Sequence, residues 1–112
     1  MKLGVRERLM LLELLPVEGD ITTIKIIRKL KESLSFTEEE YKLYGVTVTN
    51  SSEGTINIAW DESKDTQENQ ADIQFGEKAT DIICDAIENA NKKKKLTVEH
   101  IDLYDKFMKK ND

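Results

Sequence analysis

Apolar residues recur at helical spacing from the start of the chain. Val5, Leu9, Leu12 and Pro16 share one line, with Met10, Leu11, Leu14 and Leu15 beside it. Arg6 and Glu13, with Lys2 behind them, are the only consistent polar stripe. A helix apolar over most of its circumference belongs at the centre of its domain. Pro16 followed by Gly19 ends it. Asp20 then supplies an N-cap, accepting from the free N–H groups of the next first turn. In that second helix Ile21, Ile24, Ile27, Leu30 and Leu34 form the apolar stripe, opposite Lys25, Arg28, Lys29 and Glu32. The period is closer to 3.6 than to 2 despite the β-branched residues.

Phe36-Thr37-Glu38-Glu39-Glu40-Tyr41 predicts a short third helix with a capping box, Thr37 to Glu40, and a hydrophobic staple, Phe36 to Tyr41. Gly45 stops it. Val46 to Thr49 and Thr55 to Trp60 alternate around Asn50-Ser51-Ser52-Glu53-Gly54, which predicts a hairpin. Val46, Val48, Ile56, Ile58 and Trp60 share its inward face on this reading. Asp61 to Gln70 has four acids, one lysine and no large apolar residue, so a mobile loop is expected. Asp72 to Phe75 alternates and suggests a short third strand. Gly76 opens a fourth helix with Ala79, Ile82, Ile83, Ala86, Ile87 and Ala90 on one face. Leu96-Thr97 to Ile101 repeats the staple geometry before a last helix, which buries Ile101, Leu103 or Tyr104, Phe107 and Met108 and frays into Lys109-Lys110-Asn111-Asp112. The motif Thr37-x-Glu39-x-x-x-Leu43-Tyr44 returns sixty residues later as Thr97-x-Glu99-x-x-x-Leu103-Tyr104. Cap chemistry in two independent helices accounts for this echo, with an ancient helix-pair duplication as the alternative.

These elements make one α+β domain over residues 1–112, mainly helical, with five helices and one hairpin. Residues 5–60 form the first half, 61–72 an acidic loop, and 73–112 a C-terminal helical part. The expected core is Val5, Leu9, Leu12, Ile24, Ile27, Leu30, Val48, Ile56, Ile58, Ile83, Ile87 and Phe107.

Composition narrows the function. The net charge of −5 argues against a general nucleic-acid coat. Its acidic excess lies wholly in residues 36–76, which sum to −7, whereas 1–35 sum to +2 and 77–112 to zero. One cysteine excludes an internal disulfide framework and a cysteine-cage metal site. The longest apolar run, Leu9 to Leu15, is interrupted by Glu13 and far too short for a bilayer, and no signal-peptide cleavage pattern follows it. A cytoplasmic domain is expected.

Catalytic signatures are missing from the sequence. The five glycines lack the spacing of a dinucleotide-binding turn or a P-loop. Asp61 to Glu68 lacks the glycine and the alternation of a calcium loop. Cys84 and His100 read as packing and surface residues, and Glu38 to Glu40 as a helix first turn favoured by the macrodipole. No catalytic residue, cofactor or metal ligand is expected. Segregated charge stands out instead. Glu77, Asp81, Asp85 and Glu88 form an acidic stripe opposite the apolar face of the fourth helix, as a helix docking to a basic protein partner would.

The order of helix, helix, short helix and hairpin over residues 5–60 resembles a winged helix-turn-helix domain. Residues Asp20 to Leu34 form its second helix, Thr37 to Tyr44 stand in the recognition position, and Asn50 to Gly54 form the tip of the wing. That resemblance implies DNA binding. The acidic start of the recognition-position helix and Glu53 at the wing tip depart from the basic or amide side chains such helices offer a groove. DNA contacts would then fall to Lys25, Arg28, Lys29 and Lys31, with Lys92, Lys93, Lys94 and Lys95 on backbone phosphates. The Leu14-Leu15-Pro16…Gly19-Asp20-Ile21 junction and the Lys95-Leu96-Thr97…Phe107 tail also resemble small uncharacterised phage and prophage proteins, which implies no activity. The leading expectation is a non-catalytic interaction protein that docks to another protein or to its own copy; the alternative is a DNA-binding regulator.

Overall fold

The structure, a computed structural model, describes residues 1–108. The elements run β1 (Lys2–Leu3), α1 (Val5–Leu14), α2 (Ile21–Leu34), α3 (Glu38–Tyr44), β2 (Thr47–Asn50), β3 (Ile56–Ala59), β4 (Ala71–Asp72), α4 (Glu77–Lys92) and α5 (Ile101–Met108). Single 3₁₀ turns lie at Glu62–Lys64, Gln67–Asn69 and Val98–His100. The fold is α+β and mainly helical, with three helices, a hairpin and two further helices in the expected order. The expected fraying of residues 109–112 lies outside the described residues.

Local chemistry sets the helix ends. The Asp20 carboxylate accepts from the Thr23 N–H at 2.8 Å. Thr37 Oγ1 accepts from Glu40 N at 3.1 Å, and Glu40 Oε1 accepts from Thr37 N at 2.9 Å, closing the capping box. Phe36 and Tyr41 meet edge to face with ring centroids 6.2 Å apart, as the staple requires. Gly45 ends α3 at φ +63°, a left-handed conformation that glycine adopts at little steric cost.

Two apolar clusters hold the elements together. The larger joins Leu3, Met10, Leu11, Leu15, Ile27, Leu30, Leu34, Ile73, Ile83, Ile87, Leu103 and Phe107, so α4 packs on α1, α2 and α5 at once. Burying Ile83 and Ile87 completely contributes about 1.5–3 kcal/mol each. The smaller cluster joins Val5, Tyr44 and Val46, with Leu9, Phe36 and Trp60 against it, and roots the hairpin on α1 and α3.

Arg8 links the first three helices from inside. Only 2% exposed, it donates from Nε to the Leu34 carbonyl at 3.1 Å and from Nη2 to the Ser35 carbonyl at 2.5 Å. Nη1 reaches Glu40 Oε2 at 2.6 Å, and the guanidinium lies 4.1 Å from the centre of the Phe36 ring. One cation thereby satisfies the carbonyls ending α2 and the carboxylate that caps α3.

Several expectations need correction. Val48, Ile56 and Ile58 are 51%, 63% and 40% exposed, so they are not core. The register pairs Val48 with Ile58, which does put the predicted residues on one face of the hairpin. Only the rooted end of that face, at Val46 and Trp60, has a body to pack against. Leu9, Leu12 and Ile24 are half-buried. Ile101 is exposed, because the Val98–His100 turn precedes α5 and leaves Leu103 and Phe107 as its inward residues. The short strand expected over Asp72 to Phe75 is instead β4 at Ala71–Asp72, sharing only Asp72, and its antiparallel partner is β1, with Leu3 opposite Ala71, rather than the hairpin.

The acidic loop makes defined polar contacts. Asp65 accepts from Val5 N at 2.8 Å and from Arg6 N at 3.2 Å, capping α1 from sixty residues away. Gly4, the N-cap position itself, has no side chain for this task, and a Cβ there would come within 2.4 Å of Asp65 Oδ1. Tyr44 donates its hydroxyl to the Asn69 carbonyl, and Asn69 Nδ2 donates to the Lys64 carbonyl at 2.9 Å. The segment is anchored by polar contacts to a helix end, which need no apolar burial.

Candidate interaction surfaces

All four residues of the acidic stripe, Glu77, Asp81, Asp85 and Glu88, are exposed on α4. Asp81 borders a shallow depression with Asp20, Thr23, Ile26 and Lys78, and Asp85 borders another with Pro16, Thr23 and Asn89. Its middle, Asp81 and Asp85, therefore lies along the α2–α4 seam. Hydrogen bonds from the Thr23 backbone N–H and hydroxyl hold the Asp20 carboxyl below its ordinary range, so it stays ionised there. Glu88 Oε1 lies 3.7 Å from Lys92 Nζ, an exposed i,i+4 pair of small energetic weight.

Lys25, Arg28, Lys29 and Lys31 are exposed along α2. Lys92, Lys93, Lys94 and Lys95 are exposed at the end of α4, where their backbone forms the helix stop. Lys95 N donates to the Ala90 carbonyl at 2.9 Å, with Lys94 at φ +57°. Lys94 thus holds a left-handed position that glycine usually takes.

His100 has a structural task. Its Nδ1 accepts from Thr97 N at 3.0 Å, in the role Glu40 plays toward Thr37. The Cys84 thiol lies 3.8 Å from the Phe107 carbonyl. Among the described residues no group of three His, Cys, Asp or Glu is placed to hold a metal ion, and no helix is long and apolar enough to cross a membrane.

A further surface is formed by residues that the sequence assigned to the core. Between α1 and β3 lies a cleft of about 440 Å³. Leu9, Met10 and Leu12 line it from α1, and Ile56, Ile58 and Trp60 from the hairpin. Arg6, Glu13 and Glu99 complete the lining. The Arg6 guanidinium lies 5.3 Å from the centre of the Trp60 ring. It donates to Glu99 Oε2 at 3.0 Å and also to Glu62. Beyond Trp60 the surface continues into a depression lined by Ala59, Asp61, Glu62 and Ser63. There the Ser63 hydroxyl and backbone N–H hold the Asp61 carboxyl below its usual range. The cleft is apolar within and acidic around its edge.

Sequence periodicity missed this surface because it counts apolar positions without counting what covers them. The available signal was the excess on α1, whose apolar circumference exceeds what two neighbouring helices can cover. Matches to this chain are found among neither protein-family models, nor curated proteins, nor solved structures.

Proposed function

We propose that this chain is a non-catalytic protein-interaction module. The observation that carries the reading is the hairpin's outer face, where Val48, Ile56 and Ile58 stay 40–63% exposed beside a half-covered α1. Scattered exposed aliphatic residues are ordinary, but a register-matched group continuous with a cleft is what a docking surface presents. The acidic stripe on α4 supplies a second, purely electrostatic surface, suited to steering a basic partner. Light scattering and affinity capture at low and high salt test the reading, using the wild type, Ile56→Glu and the triple variant Glu77→Lys/Asp81→Lys/Asp85→Lys. Proteins or a second copy held by the wild type and lost by at least one variant support it. A strict monomer that retains nothing at any salt refutes it.

A second reading, DNA binding, is favoured by the solvent-facing row Lys25, Arg28, Lys29 and Lys31 on α2. Against it, α3 presents Glu38 and Glu39 to solvent. Contacts to phosphate weaken steeply with salt. A low-salt gel shift abolished by Lys25→Glu/Arg28→Glu supports this reading, and no shift at low salt removes it.

A further inference from the structure

We propose that the α1–hairpin cleft receives a basic amphipathic helix from a partner protein. This deepens the interaction-module reading and rests on it. Charge selects the occupant. Glu13, Asp61, Glu62 and Glu99 edge the cleft and its continuation. Among the described lining residues the one cation, Arg6, already donates to Glu62 and Glu99, and Lys64 beside the continuation offsets Asp61 alone, so the carboxylates stay in excess. A second copy meeting this face by two-fold symmetry would set those carboxylates against their own equivalents. A segment carrying Lys or Arg on its flanks meets them favourably.

The dimensions fit a helix. From Arg6 to Glu13 the floor spans seven residue rises of α1, about 10 Å at 1.5 Å each, or roughly two turns. Two apolar anchors at i and i+4 span about 6 Å and fit within that length. Leu9 and Leu12 offer them a floor, Ile56 and Ile58 a wall, and Trp60 a flat aromatic end. The cleft volume of about 440 Å³ lies in the range that ordinarily accepts a few buried groups.

Trp60 is the chain's one tryptophan, so its emission reports on the end of this cleft, and isothermal titration calorimetry of the same mixtures reports binding anywhere on the chain. The experiment titrates the full chain with an aromatic-free Leu/Lys amphipathic peptide and with a Leu/Glu peptide of the same pattern. The Leu/Lys peptide is expected to shift Trp60 emission saturably, and the Leu/Glu peptide to leave it unchanged. Ile56→Thr/Ile58→Thr keeps β-branched residues in the hairpin and should weaken binding about tenfold or more. Ile56→Glu should also weaken it, although the added negative charge would strengthen mere electrostatic attraction to a lysine-rich peptide. Glu13→Lys should weaken it, and the α4 triple variant Glu77→Lys/Asp81→Lys/Asp85→Lys should not.

Equal binding of both peptides, full affinity in the Thr variant, or failure of both peptides to bind overturns the inference. Loss in the α4 triple variant with the cleft variants unaffected also overturns it. That last outcome moves docking to the acidic stripe and leaves the interaction-module reading in place.

Discussion

Arg8→Met removes the buried cation while keeping a side chain long enough to lie along the same path. Three partners lose their donor. The Leu34 carbonyl is buried and, left unsatisfied, costs about 1–3 kcal/mol, whereas the Ser35 carbonyl is at the surface and regains water. Glu40 keeps its contact with Thr37 N and has some access to solvent, so its loss falls toward the lower end of the range for a broken buried pair. Loss of the cation over Phe36 adds about 1 kcal/mol, and recovered packing by the methionine subtracts a comparable amount. The expected destabilisation is about 4–6 kcal/mol, a large part of a typical domain stability of roughly 5–15 kcal/mol. Urea unfolding followed by circular dichroism measures it as a shift in midpoint at constant slope. Arg8→Lys should fall between, since an ammonium cannot bridge the carbonyls and the carboxylate together. A loss below about 1 kcal/mol for Arg8→Met would refute the assignment of Arg8 as the link between α1, α2 and α3.

Three further outcomes follow from the same contacts. Asp65→Ala uncaps α1 and should cost about 1–2 kcal/mol, with hydrogen exchange rising selectively at the Val5 and Arg6 amides; unchanged exchange there would show that the 61–70 segment is the tether its composition suggests. Ile56→Glu should change stability by less than about 0.5 kcal/mol in a thermal melt, whereas Ile87→Ala should cost about 2–5 kcal/mol, because Ile56 faces solvent and Ile87 the core. At Glu40, burial alone would raise the carboxyl above its ordinary 4.5, but the hydrogen bonds from Arg8 and Thr37 outweigh it and hold the group lower in the folded state. Its contribution is therefore complete above about pH 4.5 and is lost as pH falls through the lowered folded value, so Glu40→Gln should flatten the acid limb of a stability–pH curve.

Much of the secondary structure is legible in the sequence because its determinants are local. Asp20 caps Thr23 and Thr37 caps Glu40 within one turn, and Gly45 ends α3 by its own backbone freedom. The inward face of α4 follows from the repeat of Ile83, Ile87 and Ala90. What escaped lies at long range. Two-residue strands such as β1 carry no periodicity, and the pairing of Leu3 with Ala71 joins residues from opposite ends of the pattern. Composition marks Asp65 as a loop acid, although it serves a helix sixty positions earlier. Arg8 sat in plain view within the most apolar helix, yet nothing nearby in sequence names its partners. The hairpin alternation correctly assigns a shared face, but the pattern is the same whether that face is covered or open.

The distribution of partners along the chain also orders the assembly of the fold. Arg8 finds its acceptors at Leu34, Ser35 and Glu40, within the first forty residues. The long-range polar contacts of α1 wait for Glu62, Asp65, Glu99 and Lys106, whose ammonium reaches Glu7 Oε1 at 2.7 Å. Short-range closures cost less chain entropy and form first. The three-helix knot around Arg8 should therefore be present in the folding transition state, with the late partners closing behind it. Arg8→Met would then mainly slow folding, and Asp65→Ala mainly speed unfolding, a division that chevron kinetics resolve. During synthesis, the first forty residues could settle around one buried cation while α4, the helix that completes their core, has yet to emerge.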